Sequence, residues 1–344
     1  MFKNIFSGRK RFIYPIIGII IFSLIPLFVH SPYYLDLFIM MIINAVLGMM
    51  FIMGLRVGLI NMGIIAFWGI GAYASALLVT KYHVNVWLCL PLAALITGIL
   101  ALALGAILMR RQSSGLAFVM LSIIIGMVFT VAIGSLSFLG GWNGIADIPP
   151  PNPIKLPFLA PLEFVSKAPF FYLGLLIFVI IILISYAFYA SSIGRAWRAI
   201  GMSPRLAESI GVDLFKYKLL AFVLSASLCG LIGAFYAHYQ AYILPDYFSM
   251  WQNIYVQIYV ILGGPAFAFL GPIVGAAVMT FFPEFIRNAR EFAPVFTGAM
   301  LVLLIMFLPE GLLGLGKYRG NVTLGIAKLS SILKHKARRY DTPS

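Results

Sequence analysis

The polar stretch that decides the fold is Ser191-Ser-Ile-Gly-Arg-Ala-Trp-Arg-Ala-Ile-Gly-Met-Ser-Pro-Arg-Leu-Ala-Glu-Ser-Ile-Gly-Val-Asp-Leu-Phe-Lys-Tyr-Lys218. It holds five of the 24 lysines and arginines, and apolar runs long enough to cross a bilayer flank it on both sides. A hydrophilic segment between two such runs predicts a water-exposed connection between membrane helices.

The composition of the whole chain agrees with this prediction. Hydrophobic residues make up 62% and charged residues 10%, with a mean hydropathy of +1.03. Soluble domains carry about a quarter charged residues, so this composition excludes an ordinary soluble protein. Apolar runs of about 20 residues predict an all-α polytopic membrane protein surrounded by lipid, because β-barrel strands are shorter and alternate in polarity.

The apolar runs predict a helical bundle of about ten membrane segments (eight to ten), some of them broken or re-entrant. They cover about 12–30, 35–54, 58–80, 86–109, 115–138, 170–190, 217–242, 249–264, 267–286 and 294–313. Segment 249–264 is short and ends at Gly263-Gly-Pro265, so it is a candidate re-entrant segment.

The basic residues predict the orientation of these segments. With residues 1–11 in the cytoplasm, 19 of the 24 lysines and arginines fall on the cytoplasmic side, and six of the ten acidic residues fall outside. This asymmetry follows the positive-inside rule, so the net charge of +14 calls for no nucleic-acid partner. The permease domain would then span 12–316, followed by a basic cytoplasmic tail over 317–344.

A short helix is predicted at the centre of the polar stretch. Ser203 is a favoured N-cap, Pro204 suits the first helical position, and Gly211 suits the position that ends a helix. A capped, basic, amphipathic helix between two spans is well placed to contact a soluble partner. The alternative is an ordered loop whose charges only satisfy the positive-inside rule.

Residues 194–200, 207–212 and 217–237 resemble the coupling loop and the following span of bacterial ABC-importer permeases for branched-chain amino acids, the Liv M-type family. Residues 58–73, 261–276 and 308–314 are also similar to this family. Asn61 and Ile64 stand where a serine and a histidine are expected, which leaves the solute open.

The resemblance implies a non-catalytic permease subunit in a bacterial inner membrane, with both termini cytoplasmic. Its partners would be a second permease, two cytoplasmic ATPases and an external solute-binding protein. ATP and magnesium would bind the ATPases, and this chain would bind no cofactor. The coupling loop, 191–218, would meet an ATPase through Arg195, Ser203, Pro204, Arg205, Ala207, Glu208 and Gly211.

The glycine-rich stretch 58–73 predicts an interrupted helix, whose free backbone groups suit the charged groups of an amino acid. Buried amides must be paired in hydrocarbon, so polar residues in the spans are expected to face the bundle interior. Candidates for the solute path are Asn44, Asn61, Asn253 and Gln257. Hydrogen bonding between helices, or tight packing of the glycines, would explain the same residues.

Small residues recur at helix-packing spacing in two other spans, and such stripes let membrane helices approach closely. One stripe comprises Ala94, Gly98, Ala101 and Gly105; the other comprises Ala226, Gly230, Gly233 and Ala237. Outside the membrane, the proline-rich loop 139–169 predicts a semi-rigid external surface on which a binding protein would rest.

The sequence contains no motif of its own for harvesting energy. Gly311-Leu-Leu-Gly-Leu-Gly-Lys-Tyr318 has part of the spacing of a phosphate-binding loop, but Tyr318 replaces the required Ser or Thr. We find neither a metal-ligand pattern nor a run of intramembrane charges. The alternatives to a branched-chain amino acid permease are a permease of the same family for urea or short amides, and a stand-alone carrier or channel.

Overall fold

The computed structural model describes residues 18, 20, 22–29, 31–110, 115–153, 163–267, 269–285, 298, 299, 302, 306 and 310–314. The described chain is helical, with one isolated antiparallel bridge between Ile145 and Ile243. The prediction of an all-α polytopic membrane protein is therefore confirmed. Most of segments 12–30 and 294–313, and the tail from 317 onward, lie outside the described residues.

Five described helices are long and apolar enough to cross a membrane. After a short turn of helix, α1 (Ile25–Phe28), the first of them is α2 (Pro32–Leu55). The others are α4 (Val86–Arg110), α5 (Gly115–Ser135), α6 (Lys167–Ala190) and α9 (Leu214–Gln240).

Three apolar helices are shorter than a bilayer-spanning helix. They are α3 (Ile64–Thr80), α10 (Met250–Gly263) and α11 (Leu270–Phe285). At 1.5 Å per residue, the 14 residues of α10 reach only about 21 Å, less than the roughly 30 Å of a hydrocarbon core. The expectation that segment 249–264 is short therefore holds.

The chain is irregular between α2 and α3, where the glycine-rich stretch predicts an interruption. Gly58 adopts a φ of +73°, a left-handed conformation that favours glycine. The Asn61 side chain accepts a hydrogen bond from the Gly63 backbone N–H at 3.0 Å. The Met62 N–H donates to the Ser122 hydroxyl on α5 at the same distance. These bonds satisfy backbone groups that a regular helix would pair internally.

Helix α9 is the centre of the bundle and packs closely on α3 and α4. A Cβ atom at Gly71 of α3 would clash with the backbone of Gly230 on α9. A Cβ atom at Gly230 would in turn meet the Thr97 side chain on α4 at about 2.6 Å. Small residues thus bring the helix backbones together where lipid offers no hydrophobic drive for association.

The two predicted small-residue stripes lie largely at this contact. Ala101, Gly105, Ala226 and Ala237 are buried, and a Cβ atom at Gly98 would clash with the Ser227 hydroxyl. A Cβ atom at Gly233 would clash with the Trp68 carbonyl oxygen of α3. Ala94 differs: it is partly exposed, whereas Ala93 is fully buried. The buried small residue at that point of α4 is therefore Ala93, one position before the predicted Ala94.

At one end of the bundle, here named the Asp36 end, charged and aromatic side chains connect three helices. The Asp36 carboxylate accepts hydrogen bonds from the Lys167 ammonium on α6, at 2.7 Å, and from the Tyr239 hydroxyl on α9. These contacts join α2, α6 and α9. The loop after α5 also lies at this end, where the bridge of Ile145 with Ile243 fixes it beside the end of α9.

Candidate functional site

The polar stretch forms two helices at the opposite end of the bundle. They are α7 (Ser192–Met202) and α8 (Pro204–Ser209). Helix α2 ends there at Leu55, followed by Arg56, so we name this end the Arg56 end. The caps of α8 are those expected from its sequence: the Ser203 hydroxyl accepts a hydrogen bond from the Leu206 N–H, and Gly211 has a φ of +86°. The positive φ lets the Gly211 and Val212 N–H groups bond the carbonyls of Glu208 and Ala207 and end the helix.

Helix α7 was not predicted, although the spacing of its apolar residues was a signal for it. Its buried residues are Gly194, Ala196, Trp197 and Ile200, a set that falls on one face of a helix. The Trp197 indole N–H donates to the Tyr217 carbonyl on α9 at 2.9 Å, and its ring stacks on Phe188 of α6. Helix α7 is therefore fixed to the ends of two membrane helices.

Helix α9 begins at Leu214, inside the polar stretch and earlier than the predicted start of that span at 217. The Asp213 carboxylate caps α9 by accepting a hydrogen bond from the Lys216 backbone N–H at 3.1 Å. This bond, with the neighbouring Lys216 ammonium, lowers the pKa of Asp213. The cap therefore stays ionised at neutral pH.

Helix α8 exposes most of its surface to solvent. Of the predicted coupling residues, Arg195, Pro204, Arg205, Glu208 and Gly211 are exposed, Ser203 is partly exposed, and Ala207 is buried against the protein. Three large apolar side chains on α8 or next to it are also exposed, and they are not among the predicted coupling residues. Met202 is 88% exposed, Leu206 69% and Ile210 75%. The spacing of four residues between Leu206 and Ile210 was a signal that they lie on one side of α8; Met202 belongs to α7, which ends before the extended Ser203.

Helix α7 touches the chain between α2 and α3. A Cβ atom at Gly201 would clash with the backbone carbonyl oxygen of Arg56. The Arg56 guanidinium donates to the Ala266 carbonyl at 3.3 Å and lies over the Tyr189 ring of α6, 5.8 Å from its centroid. Arg56 thus joins α7, the end of α6 and the turn between α10 and α11.

The irregular segment that begins at Arg56 ends at a small cavity, which is partly open because Met127 and Met250 in its lining are exposed. The cavity has a volume of about 10 Å³, room for about one water molecule. Two of its walls are the first residues of α3 and α10, and the third is the middle of α5. Its lining residues are Met62, Gly63, Ile65, Ala66, Ile123, Gly126, Met127, Phe248, Ser249, Met250 and Asn253.

Three of the four predicted path residues lie around this cavity. Asn253 lines it, Asn61 holds the Gly63 N–H beside it, and the Gln257 amide contacts the Met62 sulfur at 2.7 Å. Asn44 lies elsewhere, with its amide 3.5 Å from the Thr280 hydroxyl of α11. For Asn44, the alternative of a helix–helix contact describes the structure better.

Among the residues that the structure describes, no three His, Cys, Asp or Glu side chains are grouped to hold a metal ion. The cavity lining consists of apolar side chains, backbone and a few neutral polar groups.

Comparison of the sequence with known proteins places this chain in a family. Residues 33–308 match the family described as "Branched-chain amino acid transport system / permease component". The chain is also similar to the high-affinity branched-chain amino acid transport system permease protein LivM of Salmonella typhimurium and of Escherichia coli K12. Each is 29% identical over 300 residues, which cover 82% of this chain and 70% of the relative. No solved structure matches the chain significantly.

Proposed function

The chain belongs to the family of permease components of branched-chain amino acid transport systems, and from this premise we propose how it moves its solute. It is a subunit of an ABC importer in a bacterial inner membrane. It works with a second permease, two cytoplasmic ATPases and an external solute-binding protein. ATP and magnesium bind the ATPases, and this chain supplies the path for branched-chain or related apolar amino acids.

The Arg56 end faces the cytoplasm in this proposal. The charges at the two ends support this orientation. The Arg56 end carries seven described basic residues (Arg56, Arg110 and the five of 191–218) beside Glu208 and Asp213, whereas Asp36, Asp147 and Asp246 lie at or near the other end with Lys81 and Lys167. Lysine and arginine collect on the cytoplasmic side of inner-membrane proteins, because the positive-inside rule governs insertion.

An ATPase subunit docks on α8. The observation that carries this proposal is the exposure of Leu206 on α8, of Ile210 at its end and of Met202 just before it, in the most polar part of the chain. Large apolar side chains exposed to water mark a contact surface when they occur together. The exposed Arg205 and Glu208 would supply the polar rim of this contact.

Helix α7 transmits the movement of the ATPase to the membrane helices. It is packed between α8 and the bundle, and its Gly201 lies against Arg56. A shift of α7 therefore displaces Arg56, the turn after α10 and the irregular segment 57–63 together. That segment borders the cavity, so movement at the cytoplasmic end would open or close the path through Asn61, Asn253 and Gln257.

The solute-binding protein rests on the loop after α5 at the external face. This loop is held by the Ile145–Ile243 bridge and by hydrogen bonds from His238 to the Pro149 carbonyl, at 2.7 Å, and from the Trp87 indole to the Asn152 carbonyl, at 3.1 Å. It presents Trp142, which is more than half exposed. A fixed surface with an exposed aromatic residue suits a protein partner.

The test is binding-protein-stimulated ATP hydrolysis by the complete complex in proteoliposomes. We expect leucine, isoleucine or valine bound to the delivery protein to stimulate hydrolysis and to drive uptake. A complex that neither hydrolyses ATP faster nor accumulates these amino acids would contradict the proposal. Urea or a short amide as the stimulating solute would retain the coupling mechanism and change the solute class.

A further inference from the structure

We infer that the second permease subunit lies against the exposed side of α10, over about the first two turns of this helix. This side, here named the α10 surface, comprises Met250, Trp251, Gln252, Ile254 and Tyr255. The inference rests on the proposed function, in which a second permease takes part, and it assigns that partner a place on this chain.

The α10 surface lies at the depth of the bilayer centre. The Thr130 hydroxyl of α5 donates a hydrogen bond to the Phe248 carbonyl at 3.0 Å, just before α10 begins. Thr130 lies about 7 Å from Ser135, the external end of α5, because each helical residue advances about 1.5 Å. Helix α10 runs from there towards the Arg56 end. Gln252 is therefore roughly 13 Å from the external end of α5, near the middle of a hydrocarbon core of about 30 Å.

The side chains exposed at this depth are unsuited to lipid. Gln252 is exposed, and its amide has no hydrogen-bond partner among the described residues. An unpaired amide is strongly disfavoured in hydrocarbon. Trp251 is 72% exposed and Tyr255 42%, although these residue types otherwise collect near the lipid headgroups, where their polar atoms reach water. Lipid is therefore a poor neighbour for this side of α10.

Helices α4 and α5 show the contrasting composition of a side that lipid can cover. Over 88–109 of α4 and 116–134 of α5, every exposed residue is apolar. Such a side needs no protein to cover it in a membrane, because lipid tails are equally apolar. The α10 surface differs from both in carrying amide, indole and hydroxyl groups.

The cavity between α3, α5 and α10 opens beside the same surface. Two of its lining residues, Met127 of α5 and Met250 of α10, are exposed. In the proposed function the solute passes this cavity, so an opening onto lipid would bring a charged amino acid against acyl chains, which is costly. A second permease over the opening supplies the missing wall, and the path is incomplete without it.

The α10 surface also has the composition of a protein contact. Aromatic residues and methionine are enriched at the centres of protein interfaces, and amide side chains form hydrogen bonds between membrane helices. We therefore expect the second permease to present hydrogen-bonding side chains opposite Gln252 and Tyr255.

Photocrosslinking in the complete complex tests the position of the partner. Replacing Trp251 with p-benzoylphenylalanine places a light-activated group on the α10 surface. The same replacement of Ile99, which is 58% exposed on the apolar side of α4, is the matched control. After irradiation of inner-membrane vesicles that hold the complex, we expect position 251 to form a product that contains peptides of the second permease, and position 99 to form none. A product within this chain, with another subunit alone or with lipid alone would overturn the inference.

Substitutions on the α10 surface test the strength of the contact. After dilution in detergent, we expect Trp251→Ala to retain at least about tenfold less of the second permease than the wild type, because interface tryptophans contribute strongly to binding. Gln252→Leu should lower retention about threefold, because one hydrogen bond between helices is lost. Ile99→Ala is the matched control and should retain the wild-type amount. Wild-type retention by Trp251→Ala would overturn the surface, and wild-type retention by Gln252→Leu would overturn the hydrogen bond assigned to it.

The outcomes separate this inference from the proposed function. A complex that transports leucine and retains the second permease, but forms no product with it from position 251, would overturn the α10 surface and leave the proposed function standing. A wild-type chain that copurifies with no second permease would overturn both. A product at position 251 together with weaker retention by Trp251→Ala would establish the surface.

Discussion

Gly201 of α7 lies so close to Arg56 that a Cβ atom on it would clash with the Arg56 carbonyl oxygen. This contact joins the polar helices at one end of the bundle to the interrupted helix that borders the cavity. The Arg56 side chain extends the connection to the turn after α10. In the proposed function, this contact connects the ATPase-docking surface to the irregular segment 57–63 and the cavity beside it.

Replacing Gly201 is expected to damage this connection. Gly201→Val pushes α7 away from a backbone atom that cannot rotate aside, at a cost of about 1–3 kcal/mol. We expect leucine uptake per ATP hydrolysed to fall, because movement of α7 no longer displaces Arg56. The measurement is uptake and hydrolysis in the same proteoliposomes, with Gly115→Ala, where a Cβ atom meets nothing within 4 Å, as control; an unchanged ratio would show that the contact carries no coupling.

The exposed apolar side chains Leu206 and Ile210 of α8 are expected to contact the ATPase. Leu206→Glu and Ile210→Glu place a charge where an apolar contact is needed and remove about 1.5–3 kcal/mol of burial each. Leu206→Met keeps the apolar surface and serves as the matched control. Copurification of the ATPase with the permease should fall for the Glu variants alone, and full recovery with both would place the docking surface elsewhere.

The left-handed conformation of Gly211 predicts a graded response to substitution. Its φ of +86° costs other residues about 1–2 kcal/mol, least for asparagine. No neighbouring atom lies within 4 Å of a Cβ atom there, so the effect comes from the backbone. ATPase stimulation should fall in the order Gly, Asn, Ala, Val; equal stimulation by Asn and Val would show that the end of α8 is not constrained.

Close helix contact predicts that Gly71 is essential for folding. Gly71→Ala drives a methyl group into the Gly230 backbone, which has no flexible end to move. We expect destabilisation of about 3 kcal/mol or more and little folded protein in detergent. The yield of monodisperse protein measures this effect, and Gly115→Ala should match the wild type. A normal yield for Gly71→Ala would mean that α3 and α9 are packed less closely.

Local features of the sequence predicted much of this arrangement. The caps of α8 act over a few residues, so Ser203, Pro204 and Gly211 were sufficient to place it. Five of the ten predicted apolar runs likewise coincide with the five described helices that are long enough to cross a membrane, because bilayer thickness sets the length of such runs. The interruption at 58–63 followed from its glycines and asparagine.

Relationships between distant segments were harder to predict. Whether Ala93 or Ala94 faces α9 depends on the rotation of α4, which packing sets. Asn44 and Asn253 are both polar residues in spans, yet the first pairs with Thr280 and the second lines the cavity. The contact of Gly201 with Arg56 joins residues 145 positions apart, and no local pattern marks it.

The orientation of α8 tests the account most directly. A cysteine at position 206 (Leu206→Cys) is exposed, whereas the native Cys89 and Cys229 are buried, so the wild-type protein gives the background. We expect a membrane-impermeant maleimide to label the variant in inverted membrane vesicles and to leave it unlabelled in intact spheroplasts. Labelling in intact spheroplasts would place α8 outside the cell and contradict the coupling of this helix to a cytoplasmic ATPase.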